Sequence, residues 1–223
     1  MEREEAARAL LLAWFSPACP IGAFSYSHGL ETLFAAGGLG DRAAAQAAIG
    51  AAVAHGAGWS DTVMCAHAYA RASAGDAAGL ADLCAFGAAL APSAERAEEA
   101  HYQGAAFRDL VAAVWPVPLL PEGRAVPLPV VVGAAGAGHG VPREALLQGA
   151  LSAFAANLVS AAVRLVPLGQ TDGQRITRDL APTVAQTVRA AKDALLSDVG
   201  GFAPGLDVAT IAHEVQDVRL FRS

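Results

Sequence analysis

The chain has 223 residues, of which 55 are alanine and only 16% are charged, a composition that favours helices packed through small side chains. A net charge of −6 and a single lysine, Lys192, provide no dense basic face, which excludes nucleic acid and anionic membrane surfaces as main partners. Lys192 follows Arg189-Ala190-Ala191 rather than a glycine run, so the chain has no phosphate loop of the GTPase or ATPase kind.

Strand signals are confined to Val130-Val131-Val132, bracketed by Pro127, Pro129 and Gly133. An all-α fold is therefore predicted, a single-domain helical bundle of about eight to ten helices over residues 1–223. Residues 4–15 read as a first helix, stopped by Pro17 and Pro20. A second is predicted over 24–36 and closes on Gly37-Gly38. Asp41 caps a third that runs to 57, residues 60–74 form a fourth, and a fifth restarts after Gly75-Asp76 and reaches 90. Pro92-Ser93 opens a sixth, with Glu95, Glu98 and Glu99 at the positive end of its dipole. Residues 115–141 are dense in proline and glycine and are predicted to be a long connection holding at most a short helical piece. A long helix follows over 142–166. Thr171-Asp172-Gly173-Gln174 and Thr183-Val184-Ala185-Gln186 both have the Thr-x-x-Gln form of a capping box, which predicts two helices in a row with Pro182 starting the second. Asp207 caps a last helix to 217 and leaves 218–223 as a tail.

Three uncharged runs, 43–60, 125–142 and 145–163, approach the length of a membrane span. Internal polar residues or prolines make each a core helix instead, so no membrane partner is expected. Cys19, Cys65 and Cys84 form no Cys-x-x-Cys pair, and the start Met1-Glu2-Arg3-Glu4-Glu5 is a poor secretory signal. The expectation is a cytoplasmic chain with reduced thiols.

Metal and catalytic patterns are incomplete. Cys65 and His67 stand two apart, on different faces of a helix. Glu98-Glu99-Ala100-His101 holds one Glu-x-x-His where di-iron bundles use two. His213-Glu214-Val215-Gln216-Asp217 resembles His-Glu-x-x-His but ends in Asp. A helical-bundle metalloenzyme using Glu98, His101, His213 and Asp217 is the competing reading, and it lacks ligands. There is no Gly-x-Ser-x-Gly elbow, and the glycines at 133, 136, 138 and 140 do not lie between a strand and a helix.

Two stretches stand out from the alanine background: the block from Ser16 to Glu31, and Pro167-Leu168-Gly169-Gln170-Thr171-Asp172-Gly173-Gln174-Arg175. Each gathers donors and acceptors at a helix end, a surface suited to docking another protein. With His213-Glu214 and Arg219-Leu220-Phe221 they resemble the urease accessory protein F (UreF) family, in order, in spacing and over essentially the whole chain. The family pattern carries a larger apolar residue where this chain has Cys19, which makes that a packing position.

The resemblance implies an all-α, dimer-forming adaptor with no catalysis of its own and no tightly bound cofactor. It implies nickel insertion into apo-urease, with nickel handled by a complex in which the chain joins the nickel-carrying GTPase UreG to the scaffold UreD (also called UreH). On that reading Tyr26, Ser27, His28 and Glu31 lie on or near an N-terminal contact surface. Gln170, Thr171, Asp172, Gln174 and Arg175 order a helix start near a partner, and Arg175 is a candidate for modulating the partner's GTP hydrolysis. The tail carrying His213, Glu214, Arg219, Leu220 and Phe221 is expected to be disordered alone and to fold on the scaffold.

Overall fold

Three helix starts in the computed structural model, which describes residues 2–123 and 125–223, follow the polar caps read from the sequence, whereas Asp207 lies inside the first turn of the last helix, which opens on Ala203. The elements are α1 (Glu2–Trp14), α2 (Leu30–Ala35), α3 (Arg42–His55), α4 (Ala57–Ser73), α5 (Ala77–Ala89), α6 (Ala94–Val114), α7 (Leu128–Gly138), α8 (Arg143–Leu165), α9 (Gln170–Ala191) and α10 (Pro204–His213). Asp41 Oδ1 accepts the Ala44 N–H at 2.8 Å, Asp76 Oδ1 the Gly79 N–H at 2.8 Å and Ser93 Oγ the Arg96 N–H at 3.2 Å, opening α3, α5 and α6. No strand occurs among the described residues, and the all-α bundle is the fold.

The predicted helix over 24–36 is instead a 3₁₀ turn, Ala23–Ser25, followed by an irregular step into α2. Gly22, His28 and Gly29 all have positive φ there, 73°, 54° and 80°, which a continuous right-handed helix cannot hold. The stretch read as a connection over 115–141 contains α7, an 11-residue helix whose Val130 and Val131 are fully buried. Pro129 sits in its first turn, where a missing N–H costs nothing. Its glycines are contact surfaces: a Cβ on Gly133 would stand 2.5 Å from Cys65 O and 2.7 Å from Ala68 Cβ of α4. The two helices predicted after 169 are one, α9, with Pro182 on its exposed side, where water can satisfy the carbonyl that loses its donor. Neither Thr171 nor Thr183 caps it; Gly169 is the N-cap.

α4 is the centre. It packs against α7 on one side and against α3, α8 and α9 on others, while α6 lies on α7. At the start of the chain Trp14 meets Phe107, Trp115 and His139 edge-on, with ring centroids 5.5, 6.2 and 5.7 Å away, pinning the end of α1 to α6 and to the end of α7. Burying each of the three valines of α7 stabilises the fold by roughly 1.5–3 kcal/mol. α8 is long and apolar enough to cross a membrane, and here it packs on α9, α4 and α3.

Candidate functional site

The first and last polar stretches of the chain meet on the N-terminal turns of α6. Glu31, in the first turn of α2, is buried, and its carboxylate accepts the backbone N–H groups of Leu220 at 2.5 Å and Phe221 at 2.9 Å. His213, at the end of α10 and fully buried, places Nε2 3.1 Å from Glu31 Oε2 and Nδ1 2.6 Å from Glu95 Oε2. Both contacts are hydrogen bonds only when both ring nitrogens carry protons. Arg219 donates to the other oxygen of Glu95 at 2.6 Å. Glu214 reaches back to the start of α6, where Oε1 accepts the Ala94 N–H at 2.7 Å, an acceptor at a positive helix end.

One turn along α6, Glu99 organises a second knot. Its carboxylate pairs with Arg96, lies 3.0 Å from His28 Nε2, and accepts from Gln103 Nε2 at 2.9 Å and from Ser223 Oγ at 3.0 Å. Burial raises the proton affinity of Glu99, but Arg96 and His28 outweigh it and hold the pKa at about 2. Burial and the Arg96 charge push His28 the other way, towards the neutral ring. Its Nε2 stands 3.0 Å from both Glu99 and Arg96, so it donates to the first or accepts from the second, not both. Ser27 completes the joint, donating from N and Oγ to the Ser223 carbonyl, each at 2.7 Å.

Tyr26, Ser27, His28 and Glu31 are therefore inside the protein, and the side chains of the last three are engaged by internal bonds. The residues with positive φ shape this turn: a Cβ on Gly29 would stand 3.0 Å from Leu206 O, so α10 lies directly against it. The tail is folded onto the chain itself. Phe221 is buried under the Arg164 guanidinium, 4.3 Å from the ring centroid, whereas Leu220 is exposed. Gln170, Thr171, Gln174 and Arg175 are exposed on the first turns of α9 and share no hydrogen bond with this cluster; Arg175 donates to Asp172 at 2.8 Å.

The competing metal set does not assemble. His213 has Glu31 and Glu95 as partners, while Glu98 and His101 line an open groove with Tyr26, Tyr102 and Arg222. Among the described residues no three His, Cys, Asp or Glu side chains are placed to hold an ion.

Glu95 and Glu99, dipole acids by sequence, are junctions in the structure, and Arg96, Gln103 and Ser223 join them without a motif that marks them. One signal was available. Arg96 is a cation in the first turn of a helix, against the dipole, and such a residue needs another partner.

The model of the UreF family matches residues 39–181. "Urease accessory protein UreF" of Rhodopseudomonas palustris strain HaA2 is 45% identical over 218 residues, covering 96% of this chain and 92% of that protein. The protein of the same name from Cereibacter sphaeroides strain KD131 is 46% identical over 213 residues, with 96% and 97% covered. That of Rhodopseudomonas palustris strain TIE-1 is 42% identical over 226 residues, with 99% and 94% covered. The family model matches the middle of the bundle, the relatives extend the likeness through both polar ends, and the chain belongs to the UreF family of urease accessory proteins.

Proposed function

We propose that this urease accessory protein is a cytoplasmic, non-catalytic adaptor, active as a homodimer, that joins the nickel-carrying GTPase UreG to the scaffold UreD/UreH during nickel insertion into apo-urease. The observation that carries the reading is the likeness to proteins named as urease accessory proteins along nearly the whole chain. The architecture supports it in a specific way. Both polar ends are drawn into one buried knot, whose role is to hold neighbouring surface in a fixed shape rather than to meet a substrate. What that knot presents outward is apolar: Val208, Ile211, Val215, Val218 and Leu220 are more than half exposed along α10 and the tail, the kind of surface a protein partner covers. The exposed first turns of α9 supply a second, polar surface, and Arg175 there is the candidate for modulating GTP hydrolysis by the partner. Nickel belongs to the complex, and no tightly bound cofactor is assigned to this chain.

The test is size-exclusion chromatography with light scattering on the chain alone and with its cognate scaffold and GTPase, alongside urease activation in cells lacking this protein. A dimer alone, a three-protein assembly when mixed and inactive urease in its absence are the expected results. Full urease activation without the chain, or no association with either protein, overturns the reading.

A further inference from the structure

A cavity of about 340 Å³ lies between α4, α6, α7, α8 and the loop that follows α1. Its volume falls at the lower end of ordinary small-molecule pockets, roughly 300–1,000 Å³. Most of the wall is hydrocarbon, with Phe107, Leu147, Leu151 and Phe154 among the lining side chains. One end is polar. There His28, Asp61, Arg96 and Glu99 face the space, and among the described residues the only other titratable groups on the wall are the thiols of Cys19 and Cys65.

The charges on this wall do not cancel. Glu99 and Arg96 form an ion pair with each other. His28 is driven towards its neutral form by burial and by Arg96, and burial keeps both thiols protonated. That leaves Asp61, in the first turns of α4, as one carboxylate without a counterion. Arg96 acts on it through space, but the Asp61 side chain is in neither an ion pair nor a hydrogen bond with any described residue, and burial pushes its carboxyl up to about 6. A second cavity of about 170 Å³ reaches the same group from the side of α10, sharing His28, Asp61, Arg96 and Ala100. The half-buried Asp61 side chain thus projects into space on the surfaces of two voids, in a protein whose buried carboxylates, Glu31 and Glu99, each accept several donors.

We propose that the larger cavity is a binding site for a small organic ammonium ion, with its charged nitrogen against Asp61 and its hydrocarbon body among Phe107, Leu147, Leu151 and Phe154. The ammonium supplies the hydrogen-bond donors that Asp61 lacks and neutralises the one uncompensated charge of the wall, while the apolar body leaves water. A bare metal ion fits less well. It needs several ligands at one point, and among the described residues no three His, Cys, Asp or Glu are so placed. A neutral ligand of the same shape would leave Asp61 unpaired. This site is independent of the adaptor reading and stands or falls without it.

The experiment is isothermal titration of the full-length chain at pH 7.5 with n-hexylammonium chloride and, in parallel, with n-hexanol. One hexylammonium per chain is expected, bound at least about tenfold more tightly than the alcohol, as a charge-assisted bond in a low-dielectric site requires. Asp61→Asn abolishes that preference and leaves hexanol binding as it was. Equal affinity for the two probes, no binding of either, or an unchanged preference in Asp61→Asn overturns the site. So does displacement of hexylammonium by an equal concentration of nickel chloride, which would make it a metal site. A wild-type measurement covers the case in which the variant does not fold: the side-chain carboxyl ¹³C resonance of Asp61 is expected to move on adding hexylammonium and to stay put on adding hexanol. A resonance that ignores the amine rejects the proposal.

Discussion

Glu31 accepts the backbone N–H of Phe221 at 2.9 Å, a bond that closes a loop of 190 residues. The same carboxylate takes the Leu220 N–H and faces His213, so one side chain near the start of the chain fixes the end of α10 and the tail together. Glutamine at this position retains one acceptor oxygen and turns an NH₂ towards a donor. Each buried donor left without an acceptor costs about 1–3 kcal/mol. Glu31→Gln is expected to release the tail before the bundle, with faster amide exchange confined to 214–223 and an early protease cut there. Unchanged exchange in that segment would mean that Phe221 packing alone holds it.

Asp61 and Glu99 make opposite contributions to acid stability. The carboxyl of Asp61 titrates at about 6 in the folded chain against an ordinary 3.8, so the native state binds its proton more tightly than the unfolded state. Its contribution is most favourable below 3.8 and is lost as pH rises through 6, a swing on the order of 3 kcal/mol. Asp61→Asn should therefore be more stable than the wild type in urea at pH 7.5, with the advantage gone near pH 4. An advantage that did not change with pH would locate the effect in packing rather than charge.

For Glu99 the sign reverses. A folded value of about 2 against 4.5 means that its stabilisation is complete above 4.5 and is lost as pH falls towards 2. Glu99→Gln removes the counterion of a part-buried arginine, an exchange that costs about 3–5 kcal/mol at neutral pH. The gap between variant and wild type should narrow between pH 4.5 and 2. A gap constant across that window would contradict the ionised state assigned to Glu99.

The helical caps were legible because they are local: Asp41, Asp76 and Ser93 each bond an N–H three residues ahead. α7 was not legible. Its prolines and glycines read as a connection because the reason they suit a helix, a first-turn position for Pro129 and a neighbouring backbone against Gly133, exists only in three dimensions. The same holds for α9, where Pro182 has the form of a helix boundary and tertiary packing carries the helix through it. Of the site, the polar blocks were recognisable as unusual, but their direction was not. Tyr26 to Glu31 look like a contact surface in one dimension and are interior because the tail and α6 cover them. Asp61 gave no signal at all, being one acid in an apolar helix.

Gly133 tests the close approach of α7 to α4. Alanine raises helix propensity by about 1 kcal/mol, yet its methyl would enter the space held by Cys65 O and Ala68. Overpacking of this kind costs about 1–3 kcal/mol, and here backbone rather than a flexible side chain blocks relief. Gly133→Ala is expected to lower the urea midpoint. Gly169→Ala, with no heavy atom within 4 Å and a φ of −80°, should change stability by less than about 0.5 kcal/mol. Equal effects from the two would remove the packing explanation for the glycines of α7.

Arg175 separates folding from partner contact. It is exposed on α9, and its bond to Asp172 is a surface pair worth about 0–1 kcal/mol. Arg175→Ala should therefore leave the unfolding midpoint nearly unchanged, because nothing buried depends on it. If the first turns of α9 meet a partner, as proposed, the same substitution lowers urease activation in cells several-fold and slows GTP turnover in the assembled complex. The two readouts divide the possibilities. Activation lost with turnover intact makes Arg175 a docking residue; both lost makes it a regulator of hydrolysis. Both intact, with the chain folded, would take the α9 start out of the interface and leave the apolar face of α10 and the tail as the surface to test.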